Sequence, residues 1–164
     1  MTKIRFGKVA VFFAVCLIGL TGAARSDEIL RLSFTVNGAA EAKAFTKNDL
    51  QRLPQVEVAT GNDYVDGTPV FQGPLLRDVV ALAGIGNPAT IRLVAVNDYS
   101  VTMPFEDALT YDVILAMTQD SKALSRRSKG PIWVIYPMSA HEELQEPSYN
   151  ARLVWQLVEI ELLE

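Results

Sequence analysis

Cys16 and His141 are the chain's only cysteine and only histidine, so nucleophilic, redox and metal chemistry have few side chains to draw on. His141 is followed by Glu142, Glu143 and Glu146, where borderline and hard metal ligands gather, but no second histidine stands near to complete a zinc site. Hydrolysis lacks its usual constellation, because Gly-x-Ser-x-Gly is absent and the single histidine has no serine in a nucleophile-elbow context. Neither a GxGxxG fingerprint nor a P-loop occurs. Two other groups remain. Asn97, Asp98, Tyr99 and Ser100 lie between two strand-like runs, where they either line a pocket or form a turn in which Asn and Asp satisfy their own backbone and Tyr99 packs. Arg126, Arg127 and Lys129 form a basic cluster before Gly130 and Pro131, suited to gripping a phosphate or carboxylate in a bidentate manner or to lying solvated on a loop. The large aromatics Trp133, Tyr136 and Trp155 read as core residues rather than stacking platforms.

The elements that must carry these groups follow from periodicity. Leu30, Leu32, Phe34 and Val36 alternate with polar residues, giving a half-buried strand that ends in Asn37-Gly38, a pair suited to a tight hairpin turn. The return strand runs towards Phe45. Thr46 and Asp49 stand at capping-box spacing, with Phe45 and Leu50 placed to close a hydrophobic staple, and Pro54 stops the short helix that follows. Val56 and Val58 suggest a strand, and residues 61–69 are rich in turn formers. Pro74 fits the first turn of a second helix with an apolar face of Leu75, Leu76, Val79, Val80 and Leu82, ending at Gly84. Residues 91–96, 99–103, 113–117, 132–136 and 153–162 are rich in β-branched and aromatic residues and read as strands. Residues 138–150 read as an irregular surface loop. The sum is a β-rich α+β chain.

Residues 1–26 read as a secretory signal. Lys3, Arg5 and Lys8 precede an apolar run over residues 9–20, too short for the roughly 20 residues that span a bilayer. Small residues follow, so cleavage is expected after Ala24 or Ser26. No Arg-Arg pair occurs within residues 1–26, which indicates the general secretory route into a bacterial periplasm. Cleavage removes Cys16 and leaves one domain over residues 27–164 without a thiol, which excludes disulfides, cysteine-ligated metals and cysteine nucleophiles. From residue 27 on, 11 Lys and Arg stand against 19 Asp and Glu, a net charge of about −8. That balance excludes nucleic acid as a partner held by a general positive field.

Four stretches, residues 69–85 (PVFQGPLLRDVVALAGI), 95–109 (AVNDYSVTMPFEDAL), 113–137 (VILAMTQDSKALSRRSKGPIWVIYP) and 152–162 (RLVWQLVEIEL), follow in order and spacing a known pattern. Through them the chain resembles the molybdopterin-binding oxidoreductase domain, the sulfite oxidase-like fold. The resemblance implies a site in which molybdenum is held by the dithiolene of a pterin and by one protein cysteine, with the segment around Asn97 to Ser100 near the substrate side. It also implies that this cysteine belongs within residues 55–76, where the chain offers Ala59 and Thr60 and no sulfur. A hydroxyl or methyl does not replace a soft anionic thiolate. The expectation is therefore a periplasmic binding or accessory module without a cofactor, acting on a small anion or on a periplasmic or membrane protein partner. The alternative is a molybdopterin-dependent oxidoreductase of the sulfite oxidase or sulfoxide reductase type.

Overall fold

The computed structural model describes residues 27–163; the expected leader, residues 1–26, lies outside the described residues. Strands β1 (Glu28–Val36) and β2 (Ala39–Thr46) form the expected hairpin, with Asn37 and Gly38 both at positive φ, 50° and 78°. This is the left-handed region that Asn and Gly enter at low cost. Helix α1 (Lys47–Gln51) starts in the expected capping box: the Asp49 amide donates to Thr46 Oγ1 at 3.2 Å, and the Thr46 amide donates to Asp49 Oδ2 at 2.9 Å. Phe45 and Leu50 are both buried in the main core.

The chain continues through β3 (Gln55–Ala59), β4 (Val70–Pro74), α2 (Leu76–Ala81), β5 (Thr90–Ala95) and β6 (Ser100–Pro104). It then forms α3 (Glu106–Thr110), β7 (Ile114–Ala116), β8 (Thr118–Gln119), β9 (Lys122–Ala123), β10 (Trp133–Ile135), α4 (Pro147–Asn150) and β11 (Leu157–Leu163). Three sheets result, in the orders β2-β1-β11-β5-β6, β3-β4-β8-β9 and β10-β7. The five-stranded sheet is antiparallel except where β1 meets β11 in parallel register, Leu32 opposite Ile160. Its apolar face packs with α2 residues Leu76, Val79 and Val80 and with Val134 and Tyr136 into one core. A second cluster gathers Val58, Phe71, Ile114, Trp133 and Ile135 around β4, β7 and β10. Phe71 and Trp133 meet there edge to face, with ring centroids 5.3 Å apart.

Glycine is required where β4 crosses β7. A Cβ on Gly73 would stand 2.0 Å from the Leu115 carbonyl oxygen, well inside van der Waals contact, so the approach of the two backbones depends on a missing side chain.

Several expectations are corrected. Pro74 closes β4 opposite Gln55 rather than opening α2, because sheet pairing extends through it and Leu75 is still extended at the helix cap. Leu82 lies just past the end of α2 and is 38 % exposed, so it does not extend the buried face. The last strand begins at Leu157 instead of residue 153, since Gln156 adopts a φ of 52° that interrupts the extended run. Trp155 is consequently 38 % exposed, whereas Trp133 and Tyr136 are core residues as expected. Residues 138–150 are more regular than a surface loop: two 3-10 turns and α4 bury Met138, Leu144 and Asn150.

Candidate functional site

The turn between β5 and β6 combines both readings of residues 97–100. Asp98 enters the left-handed region at φ 64°, Asn97 Oδ1 accepts from the Tyr99 amide at 3.3 Å, and the Ala95 amide donates to the Tyr99 carbonyl at 2.8 Å, so the turn satisfies its own backbone. Yet Tyr99 does not pack inward. It is 46 % exposed, and its hydroxyl donates to the Ala151 carbonyl at 2.8 Å. Asn97 and Tyr99 line a hollow of about 190 Å³ whose other walls include Tyr64, Leu153 and Trp155; Asp98 and Ser100 do not line it. The Tyr64 and Trp155 rings meet edge to face at 5.0 Å. Tyr64 donates its hydroxyl to the Asn150 carbonyl at 3.4 Å. Two phenol rings fixed through their hydroxyls and one exposed indole thus surround a mostly apolar space, an arrangement that favours planar or apolar groups.

The basic cluster is divided by the structure. Arg126 and Arg127 sit in a 3-10 turn, Arg126–Ser128, capped by the Ser125 and Ser128 hydroxyls. Both guanidinium groups are exposed and form no ion pair among the described residues. Lys129, at φ 67°, turns elsewhere: its ammonium donates to the Tyr64 carbonyl at 3.1 Å and lies 4.9 Å from the centre of the Trp133 ring. Lys129 therefore braces the Tyr64 loop and does not join the two arginines on a single anion. Arg126 borders a different hollow of about 220 Å³, together with Glu28, Val96 and Gln156.

Residues 59–62 lie within the stretch, residues 55–76, where the resemblance expects a thiolate. Ala59 ends β3, and Thr60 beyond it is fully buried. The Ser139 amide donates to Thr60 Oγ1 at 3.0 Å, while the Gly61 amide donates to Ser139 Oγ at 2.9 Å, so the two hydroxyls are tied across the chain. Beside them lies a pocket of about 310 Å³ lined by Asn62, Asp63, Met138, Ser139, Gln145 and Asn150. This donor set does not fit molybdenum held through a protein thiolate. The described residues contain no cysteine, the methionines supply only neutral thioethers, and no cationic side chain lines the pocket to meet a pterin phosphate.

Sequence reasoning missed one buried polar cluster. Tyr136 donates its hydroxyl to Asp107 Oδ2 at 2.8 Å, and Arg152 Nη1 pairs with the same oxygen at 2.5 Å. The Arg152 guanidinium also lies 4.5 Å over the Tyr149 ring. Burial, reinforced by the Asp107 carboxylate, pushes the Tyr136 hydroxyl far above the usual tyrosine range. The cluster clamps α3 to the segment after α4. Its members are 29 and 45 residues apart, and no local spacing signals such a meeting. His141 is engaged too: its ring meets Tyr111 edge to face at 4.9 Å, with Glu143 3.7 Å from Nδ1. Among the described residues no group of three potential metal ligands forms.

No curated protein matches the chain. The family model described as oxidoreductase molybdopterin binding domain matches residues 23–141 of the 164, a span that contains β1 to β10 and Ser139 of the 310 Å³ pocket. With more than half its length matched and a β-rich α+β architecture in place, the chain belongs to the oxidoreductase molybdopterin binding domain family.

Proposed function

We propose that this chain is an exported, periplasmic binding module that uses its family's scaffold without the molybdenum cofactor and receives a small ligand, or one aromatic side chain of a protein partner, in the hollow beside Tyr99. The observation that carries this reading is the convergence of Tyr64, Tyr99 and Trp155, each more than a third exposed, around one space. Exposed aromatics cost solvation, and rings held by hydroxyl anchors lose little entropy when covered. The exposed guanidinium groups of Arg126 and Arg127 support a small anion as the second candidate ligand. The expectation of a cofactor-free state rests on the missing thiolate, and the periplasmic setting rests on residues 1–26.

The chain's two tryptophans separate cleanly as reporters, since Trp133 is fully buried and Trp155 is exposed at the hollow. Ligands screened as small aromatics, phosphates, sulfite and carboxylates should change Trp155 emission, and Tyr99→Ala should abolish the change. A response that survives Tyr99→Ala and disappears in the Arg126→Ala, Arg127→Ala double variant moves the site to the basic turn. Absence of any response removes the binding reading.

Family membership itself favours a second reading, a molybdopterin-dependent oxidoreductase that holds its metal without protein sulfur. Metal and pterin analysis of protein from its native source distinguishes the two. Near-equimolar molybdenum with an extractable pterin establishes the oxidoreductase and overturns the cofactor-free module.

A further inference from the structure

Strand β2 is an edge of the five-stranded sheet, paired only with β1, and its eight residues make it longer than the edge strands β3 and β6, which have five each. The loop that joins it to β1 has two residues, Asn37 and Gly38, both at positive φ, so Val36 and Ala39 close the hairpin as a hydrogen-bonded pair. The alternation of an antiparallel ladder then aims the N–H and C=O groups of Ala40, Ala42 and Ala44 away from β1. Among the described residues no other element bonds to them.

Proteins deter strand addition at such edges with short strands, prolines, bulges or inward-facing charges. Strand β2 has no proline and pairs without a bulge from Ala39 to Phe45. It does carry two charges. Glu41 stands opposite Phe34 and Lys43 opposite Leu32, so both lie on the core-facing side of the sheet, exposed at its rim. The Lys43 ammonium donates to the Leu82 carbonyl at the end of α2 and has further N–H groups to give, while Glu41 forms no ion pair among the described residues.

These two charges select the strand that can be added. When two copies of β2 run antiparallel with Ala42 facing Ala42, the outward groups of Ala40, Ala42 and Ala44 meet in about six hydrogen bonds. Glu41 of each copy then falls opposite the partner's Lys43, at a non-hydrogen-bonded position, where side chains stand closest. A slide of one residue puts the outward groups out of phase. A slide of two sets Glu41 against the partner's Glu41, or Lys43 against the partner's Lys43. A strand of different charge pattern leaves both charges unmatched.

We propose that β2 is a homodimerisation edge, to which a second copy of this chain adds its own β2 in the Ala42-centred antiparallel register, joining the two five-stranded sheets about a twofold axis. The β5–β6 turn that carries Tyr99 lies at the opposite edge of the same sheet, so the dimer does not depend on binding in the aromatic hollow.

Sedimentation velocity of the exported form over a concentration series tests this, and a concentration-dependent dimer is expected. Glu41→Lys and Lys43→Glu each set like charges opposite one another and should weaken the dimer roughly tenfold or more. An equimolar mixture of the two variants should regain it, because each supplies the sign the other lacks, a rescue that loss of fold cannot produce. Ala42→Pro removes an outward N–H without touching the ladder to β1 and should leave monomer with an unchanged circular dichroism spectrum. A protein that stays monomeric into the millimolar range, a dimer indifferent to Glu41→Lys and Lys43→Glu, or failure of the mixture to restore association would overturn the proposal.

Discussion

Tyr136, Asp107 and Arg152 show how much of the stability at one residue is set by partners distant in sequence. Asp107 has a side chain 11 % exposed and Arg152 one 19 % exposed; removing either leaves a largely buried charge without its counter-ion, a change that costs about 3–5 kcal/mol in a fully buried pair. With residual solvent contact discounted, Arg152→Ala is expected to lower unfolding free energy by about 2–3 kcal/mol. Tyr136→Phe should cost about 1–2 kcal/mol, the value of one buried hydrogen bond to a charged group. Denaturant unfolding with an unchanged slope checks both, and a loss under about 0.5 kcal/mol for Arg152→Ala would show that the pair is not structural. At the surface, Glu143 titrates below the usual carboxylate range because its own backbone amide and the Tyr111 hydroxyl hydrogen-bond to it. A depressed folded pKa means that the stabilisation is present above the unfolded-state value and is lost as pH falls through the folded one. Tyr111→Phe should therefore raise the Glu143 pKa in an NMR titration and reduce the stability lost over that acidic interval; an unmoved pKa would show that the phenol contact does not persist in solution.

At the scale of elements, short segments are held by contacts that a window of sequence does not contain. Strand β7 has three residues and β4 five, yet they cross so closely that a Cβ on Gly73 would meet the Leu115 carbonyl oxygen and the Ala116 Cα. Both obstacles are backbone atoms that no rotamer change can move. Gly73→Ala is expected to destabilise by about 4 kcal/mol or to prevent folding, read as soluble yield and midpoint of thermal unfolding. A near-neutral effect would show that the two strands separate at little cost. Pro74 illustrates the same dependence. A proline before an amphipathic run fits a first helical turn, but pairing of β4 with β3 carries the extended backbone through it, and α2 starts two residues later. The capping box at Thr46 was legible because its two partners stand three residues apart, and the Asn37-Gly38 hairpin because its φ requirement is local.

At the scale of the whole molecule, the N-terminal segment carries a prediction of its own. The described residues contain no helix long and apolar enough to cross a membrane. The basic residues and short apolar run of residues 1–26 lead to the expectation that the exported protein begins at Arg25 or Asp27. Mass spectrometry of the exported form should find one of those two N-termini, and an intact leader or an acylated Cys16 would contradict general secretory processing.

Composition and local pattern were enough to determine the β-rich α+β class, the first hairpin, the cap of α1 and the absence of a thiol from residues 27–163, since each depends on residue type or on spacing of a few positions. The four ordered stretches identified the family for the same reason. What only the tertiary structure decided was which polar residues meet. It placed Tyr99 at a hollow with Tyr64 and Trp155, drew Lys129 away from Arg126 and Arg127, buried Asp107 against Arg152, and left Asn62 Nδ2 without a partner among the described residues. Such meetings join segments tens of residues apart through sheet order and loop path, and side-chain identity alone carries no record of that path.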